Sequence, residues 1–336
     1  MKKALAMALA MGMALTSMGI TAMAETEPEV TFTYAELNGD DNINAKVGYK
    51  FAEYVDELSE GRIKIDVFTA SQLGDEITCL NALQMGGGTV DFYRGNTNSL
   101  GDYGIKKLTL FGLPYIFTSR DNMWKVLDSE EIGQAFLNEG AEVGAGFVGI
   151  SYTDEGARNT FTSMEISSLA DLKGKKIRVP ETTLMMDTMT ALGAEPTPIS
   201  YSELYSSIQT GVVDGGENGY PGYDSNKFYE VAPYYLLDAH TFSPGVILMA
   251  EEKWNSLSED DQALLREAGK KASEWNKEQI EQEEEDLRKS LEEKGVTIID
   301  VPEEDMQTAQ EACKGIWADY SEGIEAELDT ILELQK

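Results

Sequence analysis

The stretch from 172 to 218 limits the possible folds more than any other part of this chain. A short strand predicted at 177–179 ends at a proline, and a helix predicted at 184–192 ends at a glycine, the residue that most easily takes the left-handed conformation of helix ends. A second short strand and a helix at 201–210 follow, and a third strand is predicted at 212–214. This order of strands and helices is typical of a parallel α/β sheet.

The first half of the chain repeats this order. Its predicted elements are a strand at 30–37, a helix at 45–59, a strand at 63–68, a helix at 76–85 and a strand at 90–93. The last helix of each half runs into a similar segment, GTVD at 88–91 and GVVD at 211–214. We therefore predict an α/β fold of two similarly connected lobes, with two mixed or parallel sheets flanked by helices. In such sheets ligands bind beyond the carboxyl ends of the strands, here in the cleft between the lobes.

One helix is predicted to be unusually long, from Ser258 to Lys294. Ser258 is a favourable N-cap, the three residues after it are acidic, and Gly295 provides the stop. At ~1.5 Å per residue this helix is roughly 55 Å long, which exceeds the width of one small domain.

Arg178 is an unusual residue for its position. It lies between Ile177 and Val179 in a strand that we expect to be covered on both faces. A buried guanidinium needs a partner, and its planar set of donors suits a carboxylate. The alternative is that Arg178 only ends a solvated basic run that begins at Lys173.

Four ordered motifs resemble one family. They are KGKKIRVP at 173–180, LGAEPTP at 192–198, QTGVVDGGEN at 209–218 and KFYEV at 227–231. The chain resembles the DctP-type extracytoplasmic solute-binding proteins of TRAP transporters (tripartite ATP-independent periplasmic transporters) over nearly all of its mature length. The resemblance implies a periplasmic binding-protein fold in which the long helix spans both lobes. It also implies delivery of the ligand to a permease with a small and a large membrane subunit.

The same resemblance implies a set of ligand-binding residues. Arg178 and Arg158 match positions that contact a ligand carboxylate, Asn218 matches a pocket asparagine, and Tyr201 matches an aromatic that lies against the ligand. In the first lobe the candidates are Glu76, Arg94 and Asn96, and Tyr152 precedes Arg158 in the chain. Because Arg158 follows a strand end, we expect it to reach water more than Arg178 does. We expect truncation of either arginine to leave the fold intact, because the cation is held for the ligand and not for the core.

Glu76 bears on the class of ligand. It lies where family members that bind sugar acids place a carboxylate to accept hydrogen bonds from hydroxyl groups, which favours a sugar acid such as a uronate. The arginine usual after that position is Ile77 here, and Glu76 could instead only cap its own helix. The alternatives are a C4-dicarboxylate or another monocarboxylate.

The charge of the chain excludes some partners. Without Lys2 and Lys3 the chain has 25 of its 27 basic residues and all 60 acidic ones, so its net charge changes from −33 to −35. Nucleic acids and anionic membrane surfaces attract basic proteins, so neither is an expected partner. The two cysteines, Cys79 and Cys313, form no metal or redox motif, and no cofactor is predicted. We expect a monomer.

The N-terminus predicts export. Two lysines, an apolar segment and the small-residue site Ala22-Met23-Ala24 are typical of a signal peptide at 1–24 that is cleaved after Ala24. The mature protein is therefore expected in the periplasm. We predict that 25–155 and 244–283 form one lobe and that 156–243 and 284–336 form the other, with crossovers near Gly156 and Ser243.

An enzyme is not the favoured interpretation. The chain has one histidine, His240, and no recognisable nucleophile motif, zinc-ligand cluster or phosphate loop. A carbohydrate-active enzyme or lyase that uses a pair of carboxylates is the remote alternative. A purely structural role would not need buried arginines at strand ends. We expect His240 to be a structural histidine.

Overall fold

The computed structural model describes residues 27–336, so the predicted signal peptide at 1–24 lies outside the described residues. The strands are β1 (Val30–Ala35), β2 (Ile63–Phe68), β3 (Phe92–Asn96), β4 (Phe147–Thr153), β5 (Arg158–Thr162), β6 (Lys176–Val179), β7 (Glu195–Pro198), β8 (Gly215–Asn218), β9 (Tyr234–Thr241), β10 (Gly245–Ala250) and β11 (Thr297–Asp300).

The α-helices are α1 (Ile43–Leu58), α2 (Glu76–Gln84), α3 (Arg120–Leu127), α4 (Glu139–Glu142), α5 (Thr183–Ala191), α6 (Leu204–Gln209), α7 (Tyr220–Ser225), α8 (Glu251–Ser256), α9 (Glu259–Glu293), α10 (Glu303–Tyr320) and α11 (Glu325–Leu334). Short 3-10 turns lie at Thr97–Ser99, Gly101–Tyr103, Leu108–Gly112, Leu169–Leu172, Tyr201–Glu203 and Phe228–Glu230, and a π-helical turn lies at Glu130–Gln134.

Two mixed sheets form the frame of the molecule. The first has the order β2-β1-β3-β10-β4, in which β10 alone runs antiparallel to its neighbours. The second has the order β11-β9-β5-β8-β6-β7. Each contains the same parallel unit, β2-β1-β3 in one and β7-β6-β8 in the other, so the predicted repeat of strand and helix order is confirmed.

Two short crossovers connect the sheets. Residues 154–157 lead from β4 in the first sheet to β5 in the second, and residues 242–244 lead back from β9 to β10. The crossovers predicted near Gly156 and Ser243 are therefore confirmed. Because both segments are short, they keep the carboxyl ends of the central strands of the two sheets close together.

The long helix is also confirmed. Helix α9 has 35 residues, and the side chain of Ser258 caps it by accepting a hydrogen bond from the backbone N–H of Asp261 at 3.1 Å. Leu265 and Ala268, near its start, pack into the core of the first sheet, whereas Leu291, near its end, belongs to the core beneath the second sheet. This helix therefore spans both parts of the molecule.

The strand predicted at 212–214 is wrong, since β8 begins at Gly215, one residue after the predicted strand ends. Asp214 instead braces the neighbouring strand: its backbone N–H donates to the carbonyl of Lys176 at 2.8 Å, and its carboxylate accepts from the N–H of Lys176 at 2.9 Å. Asp91 makes the same two contacts with Thr33 before β3, at 3.1 and 2.9 Å. The backbone pairing of β3 and β8 therefore begins after Asp91 and Asp214, because each aspartate carboxylate takes the place of a backbone carbonyl as hydrogen-bond acceptor.

Strands of the two sheets follow the predicted division of the chain, but α11 packs on α3, which belongs to the 25–155 segment. The division into lobes at those boundaries stays a prediction.

Cys79 and Cys313 are buried and unpaired. Within 27–336 no helix has both the length and the apolar character needed to cross a membrane.

Candidate functional site

A cavity lies where the carboxyl ends of the central strands of both sheets meet. It encloses about 570 Å³, a volume that includes space open to solvent. Seven of the eight predicted site residues line it, namely Arg178, Arg158, Asn218, Tyr201, Glu76, Arg94 and Asn96. Leu37, Asn38, Asp75, Tyr93, Glu155, Pro180, Glu181 and Ser200 complete the lining.

Tyr152 does not line this cavity. Its side chain is 2% exposed, and its hydroxyl donates to the carbonyl of Gly133 at 2.6 Å. Its ring lies edge-on to Phe111 with centroids 5.8 Å apart. Closeness to Arg158 in the chain is a poor guide, because Tyr152 lies in β4 of the first sheet and Arg158 begins β5 of the second.

Arg178 differs from the other arginines of the cavity in having no ion pair among the described residues. Ile177 and Val179 belong to the apolar core, so Arg178 points to the opposite face of β6. Its Nε donates to the carbonyl of Ile199 at 2.7 Å, and its guanidinium lies 5.6 Å from the ring centroid of Tyr201. Burial lowers the pKa of Arg178, and the negative charges of Glu217 and Glu76 oppose this effect only in part.

Arg158 is held between two carboxylates. Its Nε and one terminal nitrogen donate to the two oxygens of Glu217 at 2.6 and 2.8 Å, and its other terminal nitrogen donates to Glu155 at 2.7 Å. Burial alone would lower the pKa of Arg158, but these carboxylates outweigh it and raise that pKa. The expectation that Arg158 reaches water more than Arg178 is wrong, since each is 3% exposed. The β5–β8 pairing brings Glu217 beside Arg158 and excludes solvent.

Arg94 occupies a matching position in the first sheet. Its Nε donates to Glu36 at 2.7 Å, and its NH1 group donates to the side-chain oxygen of Asn96 at 3.1 Å and approaches Glu155 at 3.4 Å. Arg94 is 4% exposed. The interaction with Glu36 keeps Arg94 fixed at the edge of the cavity.

The buried charges form one continuous series of alternating sign. In order the series is Glu36, Arg94, Glu155, Arg158, Glu217, His240 and Asp238. It starts in the first sheet, passes through the crossover residue Glu155 and ends in the second sheet. When His240 is protonated, each member has a neighbour of opposite charge, so no charge of the series is buried without a partner.

Glu76 lies on the first-lobe side of the cavity, at the start of α2. Asp75, and not Glu76, caps this helix by accepting from the N–H of Thr78 at 2.8 Å. Glu76 accepts a hydrogen bond from the hydroxyl of Tyr93 at 3.3 Å. Burial raises the pKa of Glu76, an effect partly opposed by the positive charge of Arg178. Its carboxyl group is therefore available to exchange hydrogen bonds with a bound molecule.

Polar contacts join the two sides across the cavity. The hydroxyl of Tyr201, from the second lobe, donates to the side-chain oxygen of Asn38, from the first, at 3.2 Å. The same hydroxyl accepts from Asn218 at 3.0 Å and from Asn226 at 2.9 Å. These contacts fix the ring of Tyr201 beneath the guanidinium of Arg178.

His240 is buried within the series of charges, as expected of a structural histidine. Its Nδ1 lies 3.1 Å from Asp238, and its Nε2 lies 3.4 Å from Glu217. Burial lowers the pKa of His240, but the two carboxylates outweigh burial and raise that pKa to about 9. At neutral pH the imidazole is therefore protonated.

The raised pKa of His240 predicts a pH dependence of stability. The stabilisation is complete below the unfolded-state pKa of about 6.5 and is lost as the pH rises through about 9. We expect the free energy of unfolding to fall by on the order of 3 kcal/mol over this range. Urea unfolding at pH 6, 7.5 and 9 measures this change. In His240→Gln the free energy of unfolding should depend less on pH. An equally steep pH dependence in the variant would show that His240 is not its source.

Sequence reasoning missed the carboxylates that hold the arginines. Glu36 directly follows β1, Glu155 lies in the first crossover, and Glu217 is the residue before Asn218 in β8. All three are acidic residues that lie within two residues of the carboxyl end of an observed strand. Among residues 27–336, no group of three or more His, Cys, Asp or Glu side chains is arranged to hold a metal ion.

Two α/β sheets joined by short crossovers, with a polar cavity and buried arginines between them, define a solute-binding protein of the periplasmic type. The sequence model of the bacterial extracellular solute-binding proteins, family 7 (DctP), matches residues 35–323. The chain belongs to this family. Its members are periplasmic binding proteins and not enzymes; they bind small organic acids and work with membrane permease subunits.

Individual relatives agree with this assignment. A solute-binding protein of Roseobacter denitrificans is 35% identical over 296 residues, which cover 88% of this chain and 89% of the relative. A TRAP periplasmic solute-binding protein of Bradyrhizobium, solved in complex with D-galacturonate, is 31% identical with a TM-score of 0.84, covering 91% of this chain and 99% of that one. Another from Pseudomonas putida, with bound D-glucuronate, is 26% identical with a TM-score of 0.84, covering 90% and 96%.

Proposed function

We propose that this protein captures a hexuronate, of the D-galacturonate or D-glucuronate class, in the cavity between its lobes. The observation that carries the proposal is Arg178, a buried cation at the cavity without an ion pair among residues 27–336. A ligand carboxylate supplies the missing counter-charge with two parallel hydrogen bonds. The uronates bound by the relatives from Bradyrhizobium and Pseudomonas putida support this ligand class.

Residues around Arg178 suit the carboxylate end of a uronate. Tyr201 supports the guanidinium from one side, and Asn218 lies in the same lining with an amide held by Tyr201. Since Arg158 is already neutralised by Glu217 and Glu155, we assign it to holding the shape and charge of the cavity. Arg178 is then the principal carboxylate contact.

The opposite part of the cavity suits hydroxyl groups. Glu76 and Asn38 offer oxygens that accept hydrogen bonds from sugar hydroxyls, and Arg94 and Asn96 lie beside them. A simple C4-dicarboxylate has no hydroxyl-rich end to satisfy these groups, and its second carboxylate would meet Glu76. The sugar acid therefore fits this lining better than the dicarboxylate does.

Capture involves closure of the two lobes, which we propose to comprise 25–155 with 244–283 and 156–243 with 284–336. Support comes from the short crossovers and from contacts such as Tyr201 to Asn38, which a ligand between the lobes would reinforce.

We further propose that the protein is a monomer and is released into the periplasm after cleavage behind Ala24. It delivers its ligand to the small and large subunits of a TRAP permease.

Isothermal titration calorimetry with matched ligands tests this function. D-Galactose has a CH₂OH group where D-galacturonate has its carboxylate, and succinate has carboxylates but no hydroxyls. We expect a uronate to bind at least ~10³-fold more tightly than either, because a site built for a polar group discriminates strongly against its absence. Succinate or malate binding more tightly than both uronates would favour the dicarboxylate alternative.

A further inference from the structure

Glu155 occupies an unusual place in the cavity. It lies in the crossover between β4 and β5, where its carboxylate sits between arginines of the two sheets. One oxygen accepts from Arg158 at 2.7 Å, and the other lies 3.4 Å from Arg94 and accepts from Asn44 at 3.1 Å. Glu155 and both arginines line the same cavity.

Neither arginine depends on Glu155 alone for its counter-charge. Arg158 has Glu217 as a two-pronged partner in its own sheet, and Arg94 has Glu36 in the other sheet, at 2.7 and 3.5 Å. In each case it is the remaining terminal nitrogen, NH1, that points to Glu155. Two NH1 groups from opposite sheets thus converge on one carboxylate, and the protein itself provides that carboxylate.

We propose that Glu155 takes the place of a second ligand carboxylate and so makes this site selective for monocarboxylic over dicarboxylic sugar acids. The inference rests on the proposed function and narrows its ligand class. With Glu155 present, Arg94 and Arg158 face three carboxylates, and this side of the cavity is negative. A second ligand carboxylate would meet Glu155 and Glu76 instead of a free cation.

Removal of the Glu155 charge makes this side of the cavity neutral. Arg94 and Arg158 would then face only Glu36 and Glu217, and both NH1 groups would be free to donate to a ligand. A second carboxylate in that place is the kind of group that paired arginine donors bind well. The selectivity of the cavity for monoacids is therefore attributed mainly to Glu155, with Glu76 adding to it.

The test compares acids that differ in one end group. D-Galactonate and galactarate are open-chain acids of the same length, and galactarate has a second carboxylate where galactonate has a CH₂OH group. We expect wild-type protein to bind D-galacturonate at least ~10²-fold more tightly than galactarate. Glu155→Gln should increase galactarate affinity by about tenfold or more and change galactonate affinity far less.

Two further variants control the comparison. Glu53→Gln removes the charge of an exposed glutamate paired with Lys50 at 2.7 Å and should change neither affinity. Glu155→Ala removes the whole carboxyl-bearing side chain, whereas Glu155→Gln leaves an amide of similar size in its place. Both Glu155 variants should fold, because Arg94 and Arg158 keep Glu36 and Glu217, and thermal melts check this.

The outcomes separate this inference from the proposed function. Wild-type protein that binds galactarate as tightly as D-galacturonate, or Glu155 variants that gain no galactarate affinity, would overturn the role of Glu155. Wild-type protein that binds no uronate would contradict the proposed ligand class instead. Even then, a specific gain of galactarate binding by Glu155→Gln would support the role of Glu155 as an internal second carboxylate.

Discussion

Arg178→Ala is expected to lower the affinity for D-galacturonate by roughly 30- to several-thousand-fold. Loss of one member of a desolvated charged pair costs about 2–5 kcal/mol of binding free energy, since the ligand carboxylate is left buried without its partner. The ligand-free variant should nevertheless melt within about 3 °C of wild type. Because burial lowers the pKa of Arg178 and no carboxylate of the described residues pairs with it, its charge contributes little to folding. Calorimetry and thermal melts measure the two effects separately.

Arg178→Lys serves as the matched control for charge. It keeps a cation in the cavity but loses the planar pair of donors, so we expect an intermediate loss of affinity and altered preference among acids. Wild-type affinity in Arg178→Ala would show that another group binds the carboxylate. A variant that does not fold would show that Arg178 is structural. Either result would contradict the site proposed here.

Much of the fold was predictable because the signals are local. Glycines follow the helices of both halves, Pro180 ends β6, and Ser258 with the acids after it fixes the start of α9. The starts of β3 and β8 were less predictable, because Asp91 and Asp214 brace neighbouring strands through contacts that span 58 and 38 residues of the chain. No local pattern carries that information.

Which residues line the site was predictable, but which arginines pair with which carboxylates was not. Sequence patterns together with the family resemblance placed Arg178, Arg158 and Arg94 near the cavity, yet they could not show which arginine lacks a carboxylate partner. That difference depends on Glu217, which is 59 residues from Arg158, and on Glu36, which is 58 residues from Arg94. Strand pairing decides these distances, and with them the division between structural and ligand-binding arginines.

Arg158→Ala is expected to have the opposite effect to Arg178→Ala, with a large loss of stability. The expectation that the fold survives this change intact is revised, because Glu217 and Glu155 would lose their shortest ion pairs and keep only the ionic contacts to His240 and Arg94, each at 3.4 Å. Breaking a buried ion pair from one side typically costs 3–5 kcal/mol, which corresponds to a fall in melting temperature on the order of 10 °C. Thermal melts and urea unfolding without ligand measure it.

Two further variants show whether the loss comes from uncompensated charge. Arg62→Ala breaks a half-exposed ion pair with Asp261 and should cost less than about 1 kcal/mol. Adding Glu217→Gln to Arg158→Ala should recover part of the stability, since the double variant no longer buries the unpaired carboxylate of Glu217. A double variant no more stable than Arg158→Ala would show that Arg158 stabilises the fold through packing. Wild-type stability in Arg158→Ala would show that the buried series of charges does not hold the lobes together.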